Sequence, residues 1–197
     1  MEDPVHGYDA DAANLAQRYE ALSTAQVHAA VLEFLPPGGF ALDIGAGSGR
    51  DAAWLSSRGF DVVAAEPSQE LLSGAARRHS EAGILWVDDR LPDLSSVYAL
   101  GRRFDLILVS GVWMHVHPSD RTHGFSRLSG LMTSSGVLMM SFRNGHGGPG
   151  RPMWNVELLE LRDLARANGL AELCVARTPD LLGRADVDWT ALAFTVA

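Results

Sequence analysis

Phe40-Ala41-Leu42-Asp43-Ile44-Gly45-Ala46-Gly47-Ser48-Gly49-Arg50 is the stretch that decides how the chain is read. An apolar run with a β-branched residue meets three glycines at alternate positions. Behind them Asp51-Ala52-Ala53-Trp54-Leu55 opens a helical pattern, so the stretch reads as strand, glycine loop and helix. Alternate glycines let the main chain turn sharply and keep side chains away from where a ligand lies against the backbone. The loop also opens a helix, whose free N–H groups and positive dipole end favour a carboxylate or phosphate. The pattern predicts a site for a nucleotide-like cofactor.

The spacing narrows which one. A dinucleotide fingerprint, G-x-G-x-x-G, has its third small residue three positions after the second glycine. Arg50 stands there, and the third glycine comes one residue early. A P-loop needs a lysine after its last glycine, and every basic residue of this chain is arginine. The form that fits is hydrophobic-Asp-Ile-Gly-x-Gly-x-Gly, with Asp43 included. It resembles the first motif of class I S-adenosylmethionine-dependent methyltransferases, and the chain is most similar to small bacterial members of the tellurite-resistance-like type. The resemblance covers almost the whole chain, although only residues 41–49 match a tight motif.

Composition sets the bounds. The 197 residues suffice for one α/β domain with a sizeable core. We expect a single domain over 1–197, with an N-terminal helical cap over 1–37 and a Rossmann-like core over 38–197. No apolar run approaches the roughly 20 residues that span a bilayer, and the acidic start, Met1-Glu2-Asp3-Pro4, is unlike a signal peptide. The lone Cys174 sits in an apolar, strand-like run and reads as a small buried hydrophobe. A cytoplasmic location is the expectation. The formal net charge is −8 and the densest basic clusters are Arg77-Arg78 and Arg102-Arg103, so no nucleic-acid or membrane partner is expected.

Along the chain, Tyr8, Ala12, Leu15, Ala16 and Tyr19, and then Val27, Ala30, Val31, Phe34 and Leu35, fall at helical spacing, giving two helical stretches over 8–35. Pro36-Pro37-Gly38-Gly39 turns the chain into the first strand. Helices are expected over 50–58, 69–80, 119–132 and 156–168, the last capped by Asn155. Strands are expected over 60–65, 84–87, 104–109 and 137–142, with Thr133-Ser134-Ser135-Gly136 as a turn before the last of these. Strands over 170–177 and 189–196 are joined by a loop too short for a helical crossover, and should pair as an antiparallel hairpin. The fold class is therefore α/β, a doubly wound, mostly parallel seven-stranded sheet with a C-terminal antiparallel hairpin.

Glu66 stands at the end of the second strand, where a carboxylate can accept both hydroxyls of a ribose. The family resemblance implies further roles. Asp43, Gly45, Ala46, Gly47 and Gly49 would shape the methionine end of the site, with Arg18 and Tyr19 reaching the same end from the cap. Glu66 and Pro67 would hold the ribose. Asp88, with Asp89 as second choice, would read the adenine, and Ser110 and Val112 would line the loop that passes under the cofactor. S-adenosyl-L-methionine is the implied cofactor and S-adenosyl-L-homocysteine the product.

An in-line methyl transfer needs the acceptor lone pair held near the methyl carbon with water excluded, and a general base helps hydroxyl or ammonium acceptors. His115 and His117 lie in the appropriate loop and His146 in a glycine-rich segment over 143–152, a candidate lid. His115, nearer the strand end, is the candidate base. Arg143 and Arg151 can pair with an acceptor carboxylate or phosphate. With one cysteine and no H-E-x-x-H, no zinc site is expected. A small-molecule acceptor is the first reading. A protein or RNA acceptor, an NAD-dependent oxidoreductase and a non-catalytic cofactor-binding module are the rivals.

Overall fold

The computed structural model describes residues 3–145, 147, 150–184 and 187–197; His146 of the candidate lid falls outside them. Three helices precede the first strand: α1 (Pro4–Asp9), α2 (Ala12–Glu20) and α3 (Thr24–Val27), followed by a 3₁₀ turn over Leu32–Phe34. The first expected helical stretch is thus two helices. Asp3 accepts the Val5 N–H and Pro4 fills the first turn, so α1 starts earlier than its apolar spacing suggests. Asp11 leaves the helical region at φ −121°, ψ 14°, which puts Tyr8 and Tyr19 on different helices.

From there strands and helices alternate: β1 (Gly39–Ile44), α4 (Arg50–Ser57), β2 (Phe60–Ala65), α5 (Gln69–Arg78), β3 (Leu85–Val87), α6 (Ser95–Ala99), β4 (Phe104–Ser110), α7 (Arg121–Gly130), β5 (Met132–Arg143), α8 (Leu158–Ala167), β6 (Leu170–Pro179) and β7 (Asp188–Val196). The seven strands form one sheet in the order β3-β2-β1-β4-β5-β7-β6. The first five pair in parallel, and β7 runs antiparallel between β5 and β6. The expected hairpin is therefore present, and it separates this sheet from the dinucleotide-binding order, which continues with a sixth parallel strand.

Three local readings are corrected. Thr133-Ser134-Ser135-Gly136 lies inside β5, where the register against β4 shifts between Phe104 and Leu106. The irregularity absorbs the residues that looked like a turn. Helix α6 was not expected; it is one short turn entered through Leu94, whose φ is +49°. Asn155 does not cap α8: Glu157 occupies the cap position, and the Asn155 amide binds the Glu157 carboxylate instead. Cys174, on the outermost strand, is half-buried with its thiol 3.7 Å from the Ala30 carbonyl.

Side chains alternate across the sheet and build a core on each face. Leu42, Ile44, Ile107, Val109, Leu138 and Met140 pack with Trp113, Phe125, Leu128, Leu161 and Phe194. Ala41, Val62, Leu106, Leu108 and Met139 pack with Val31, Ala52 and Leu55 on the opposite face. Chain order runs outward from β1 in one direction and from β4 in the other, so the crevice at the C-terminal ends of these two neighbours is the topological switch point where such sheets bind ligands. Among the described residues no helix is long and apolar enough to cross a membrane. Phe125 is fully buried between the rings of Trp113 and Phe194, at centroid distances of 5.7 and 6.2 Å. Phe125→Ala is expected to cost about 3–5 kcal/mol in urea unfolding, and a loss under 1 kcal/mol would show that this face is not the closely packed core described.

Candidate active site

Leaving β1, the backbone turns over the end of β2: the Gly45 and Ala46 N–H groups both donate to the Ala65 carbonyl, at 2.8 and 3.1 Å. Gly45 needs to be glycine for two reasons. Its φ is +68°, and a Cβ there would sit on the Val112 side chain, within van der Waals contact. Val112 follows β4, so the two strand ends at the switch point touch through this hydrogen-only position. Gly47 also has positive φ, +57°, but a Cβ there would meet only the Tyr19 ring at 3.5 Å. Gly49 (φ +85°) begins α4, and a Cβ would collide with Trp86 and His79.

Buried carboxyls gather at this bend. Glu66 accepts the Gly47 N–H at 2.8 Å and the Ser68 N–H at 2.9 Å. Burial nonetheless dominates, and its pKa is pushed up to about 7. Asp43 accepts the Ala52 N–H, while its Oδ2 has no hydrogen-bond partner among the described residues. Burial first, then the negative Asp51 and Glu66, hold the Asp43 carboxyl well above the usual range. Asp51 behaves in the opposite way. Burial opposes its charge, but His28 at 3.0 Å and a two-pronged contact from Arg50, both bonds 2.8 Å, hold it well below the usual carboxylate range.

A cavity of about 780 Å³ opens beside these groups, of a size that holds a drug-sized ligand. Helices α1 and α2 roof it. Tyr8 hydrogen-bonds His115 through its hydroxyl at 2.9 Å, with the two rings edge to face at 5.5 Å. The other ring nitrogen, Nδ1, lies 2.7 Å from the Pro152 carbonyl. A carbonyl only accepts, so Nδ1 carries the hydrogen, Nε2 presents its lone pair, and the Tyr8 O–H donates to it. Burial pushes the imidazole pKa down, helped by Arg143 and Arg151, and keeps His115 neutral. Burial likewise holds the Tyr8 phenol above its ordinary value. The loop bearing His115 is fixed from below: Arg121 donates to the Val116 carbonyl at 3.2 Å and to Glu160 at 2.7 Å, and the Trp154 N–H reaches the Met114 carbonyl at 2.8 Å.

Residues 41–136 match the model of a family described as a methyltransferase domain. Solved structures share the fold over nearly the full chain. The chain is 21% identical to a 1,6-didemethyltoxoflavin-N1-methyltransferase of Burkholderia thailandensis, determined with 1,6-didemethyltoxoflavin and S-adenosylhomocysteine, over 98% of this chain and 87% of that one with a TM-score of 0.75. A TehB-like SAM-dependent methyltransferase of Corynebacterium glutamicum is 22% identical over 95% and 99% of the two chains, with a TM-score of 0.66. The magnesium protoporphyrin IX methyltransferase of Synechocystis, with SAM bound, is 16% identical over 91% and 80%, with a TM-score of 0.69. Residues 41–136 belong to this methyltransferase-domain family. No curated protein matches the sequence.

Within the methyltransferase, Asp43, Gly45, Ala46, Gly47, Glu66, Pro67, Ser110, Val112, Arg18, Tyr19 and His115 all line the one cavity. Three expected residues do not. Gly49 is covered by packing against Trp86 and His79. Asp88 and Asp89 border an adjoining shallow depression, which shares Val5, Pro67, Arg90 and Asp93 with the cavity. Asp89 is occupied structurally, accepting the Val97 N–H at 2.8 Å to cap α6 and the Arg90 N–H at 2.9 Å. Asp88 accepts the Gln69 amide at 2.6 Å. Leu91 and Pro92, from the same loop, reach the main cavity in their place. His115 is placed as expected but with its lone pair engaged by Tyr8. Asp180, Arg184 and Trp189 were not anticipated: Asp180 binds Arg184 through three contacts and the Trp189 indole N–H at 3.0 Å, fixing the β6–β7 connection as a cavity wall. No local pattern marks them. Among the described residues no three His, Cys, Asp or Glu side chains are grouped to hold a metal ion. The glycines of the methyltransferase loop should differ in tolerance. Gly47→Ala is expected to cost about 1–2 kcal/mol for its left-handed backbone, and Gly45→Ala more, through the added collision with Val112. Equal losses in urea unfolding of the two variants would contradict the close approach at Gly45.

Proposed function

We propose that the protein is an S-adenosylmethionine-dependent methyltransferase acting on a small-molecule acceptor, with residues 1–197 as one domain and residues 1–37 as its roof. The observation that carries this reading is the pair of buried carboxyls at the glycine bend, one with an unpartnered oxygen and one held near neutrality by burial. Asp43 has an orphaned oxygen and Glu66 a raised pKa, and both line the cavity at the switch point. A buried carboxyl with an unused acceptor is costly, and a cationic, hydroxyl-bearing ligand relieves that cost. The bend fits such a ligand because Gly45 brings backbone where a side chain cannot go. When bound, the cofactor supplies a methyl carbon activated by a cationic sulfur.

In this reading Gly45, Ala46 and Gly47 hold the methionine end against the backbone, and Asp43, with Tyr19 and Arg18 from the roof, faces its charged groups. Glu66 takes the ribose hydroxyls above Pro67. Ser110 and Val112 line the floor, and Asp88 reads the adenine from the rim. The acceptor lies toward Tyr8 and His115. There the acceptor proton passes to Tyr8 Oη as the phenolic hydrogen moves to His115 Nε2, leaving an imidazolium with both nitrogens protonated and its Nδ1–H still on the Pro152 carbonyl. The lowered pKa of His115 keeps the base form available at neutral pH. A small acceptor suits a cavity closed by α1 and α2 in a chain with net charge −8.

Calorimetry with S-adenosylmethionine and S-adenosylhomocysteine tests the assignment. Binding by both is expected, and absence of heat from either at sub-millimolar protein would overturn it. Glu66 accepts ribose hydroxyls from both oxygens only when ionised, so lowering pH through about 7 removes an acceptor. Affinity should fall as pH drops from 8 to 6, by up to about tenfold per unit below the pKa, with protons released on binding. An affinity flat across that range would remove Glu66 from the ligand. Tyr8→Phe and His115→Gln should each lower turnover by about 10²–10⁴-fold while leaving S-adenosylhomocysteine affinity within a few-fold. Full turnover in either variant would remove the pair from the proton path.

A further inference from the structure

The cavity carries charge of both signs. Asp43, Asp51 and Glu66 line it at the glycine loop, and the end of β5 with the loops that follow β5 and β6 brings Arg143, Arg151 and Arg184 to the same cavity. In a chain of net charge −8 these three arginines are a local gathering of positive groups. The arginines differ in how firmly they are already held. Arg184 is gripped by both oxygens of Asp180, at 2.6 and 3.0 Å. Arg50 and Arg90, which also reach the cavity, are held by Asp51 and Asp3 at 2.8 and 2.6 Å.

Arg151 has a looser hold. Asp11 lies 3.7 Å away, and its guanidinium stands 5.4 Å from the centroid of the Tyr8 ring. Among its contacts, Arg143 directs Nη2 at the Met153 sulfur, 3.0 Å away. A thioether is a weak acceptor, and a carboxylate or phosphate oxygen competes with it successfully for a guanidinium N–H. Burial, then the neighbouring charges of Arg184 and Arg151, hold Arg143 below its ordinary value, consistent with positive potential at these arginines. The cavity they line also has apolar groups, Met114, Leu181, Leu182 and the flat indole of Trp189, whose N–H is already taken by Asp180.

We infer that the methyl acceptor is an anionic aromatic molecule, a ring bearing a carboxylate or phosphate that pairs with Arg151 and Arg143 while its hydroxyl or amine faces Tyr8. The inference rests on the methyltransferase reading and adds the charge and shape of the acceptor. The carboxyls and the arginines then orient the reactants, with the cationic donor at the former and the anionic acceptor at the latter.

The test uses the full chain saturated with S-adenosylhomocysteine. Calorimetry compares para-hydroxybenzoate and para-hydroxyphenyl phosphate with the neutral para-hydroxybenzamide, and the first two arms separate a carboxylate from a phosphate preference. At least one anion is expected to bind about tenfold or more tightly than the amide. Arg151→Gln should reduce that preference to less than about threefold, with Arg151→Lys between, and both variants should keep wild-type affinity for S-adenosylhomocysteine. Equal affinity for anions and amide, no binding of either anion, or an unchanged preference in Arg151→Gln would overturn the inference. If Arg151→Gln does not fold, the wild-type comparison decides alone. Normal S-adenosylhomocysteine binding with failed discrimination sinks only the acceptor class, whereas failure of that first ligand to bind sinks the methyltransferase reading beneath it.

Discussion

The site depends on one carboxylate bridging two backbone segments. Glu66, at the end of β2, accepts the N–H of Gly47 from the bend after β1 and the N–H of Ser68 at the start of α5. That bridge fixes the Gly47 N–H, while the Gly45 and Ala46 N–H groups hold the bend to the Ala65 carbonyl and Arg78 donates to the Ser48 carbonyl at 3.3 Å. Two N–H groups on one carboxylate are strong contacts, yet burial still raises the acid to about 7. The same group is therefore a structural clasp and a poised acceptor, sitting close to a change of charge in the range where proteins work. Asp43, one strand away, has an oxygen unpaired among the described residues. Natural interiors rarely leave such a group idle, and both acids line the cavity.

Helices α1 and α2 are tied to both halves of that cavity. On the glycine-loop side, Asp3 meets Arg90 at 2.6 Å, and Asp9 accepts from the Ser68 hydroxyl and the Glu70 N–H. On the far side, Tyr8 bonds His115 and Asp11 faces Arg151. Gly7 lies so close to the Gly150 carbonyl that a Cβ would not fit.

The bend was legible because its chemistry is local. Glycines at 45, 47 and 49 and the acid at 43 mark a strand-to-helix turn whatever the rest of the chain does, and the near-continuous apolar runs over 104–109 and 137–142 mark buried strands. Reading faltered where the outcome depended on distant partners. Nothing local announced how Asp89, second choice after Asp88 for the adenine, is engaged: α6, a single turn entered through a left-handed Leu94, takes it as a cap. Thr133 to Gly136 looked like a turn because its residue types favour one, and it lies within β5 at the register shift between the Phe104–Met132 and Leu106–Val137 pairs. Asn155 had the composition of a cap and lies two residues too early.

The amino-acid sequence by itself determined the order of strands and helices, the glycine bend and the acid that ends the second strand. These follow from short-range spacing and backbone freedom, which neighbouring residues settle among themselves. The tertiary structure decided which groups meet: Tyr8 with His115 across 107 residues, Gly45 with Val112, and Asp180 with Arg184 and Trp189 in a wall of the cavity. Such pairings follow from how the sheet orders its strands and where the roof comes to rest. They carry no periodicity in the chain, because only the folded geometry brings their partners within reach of a hydrogen bond.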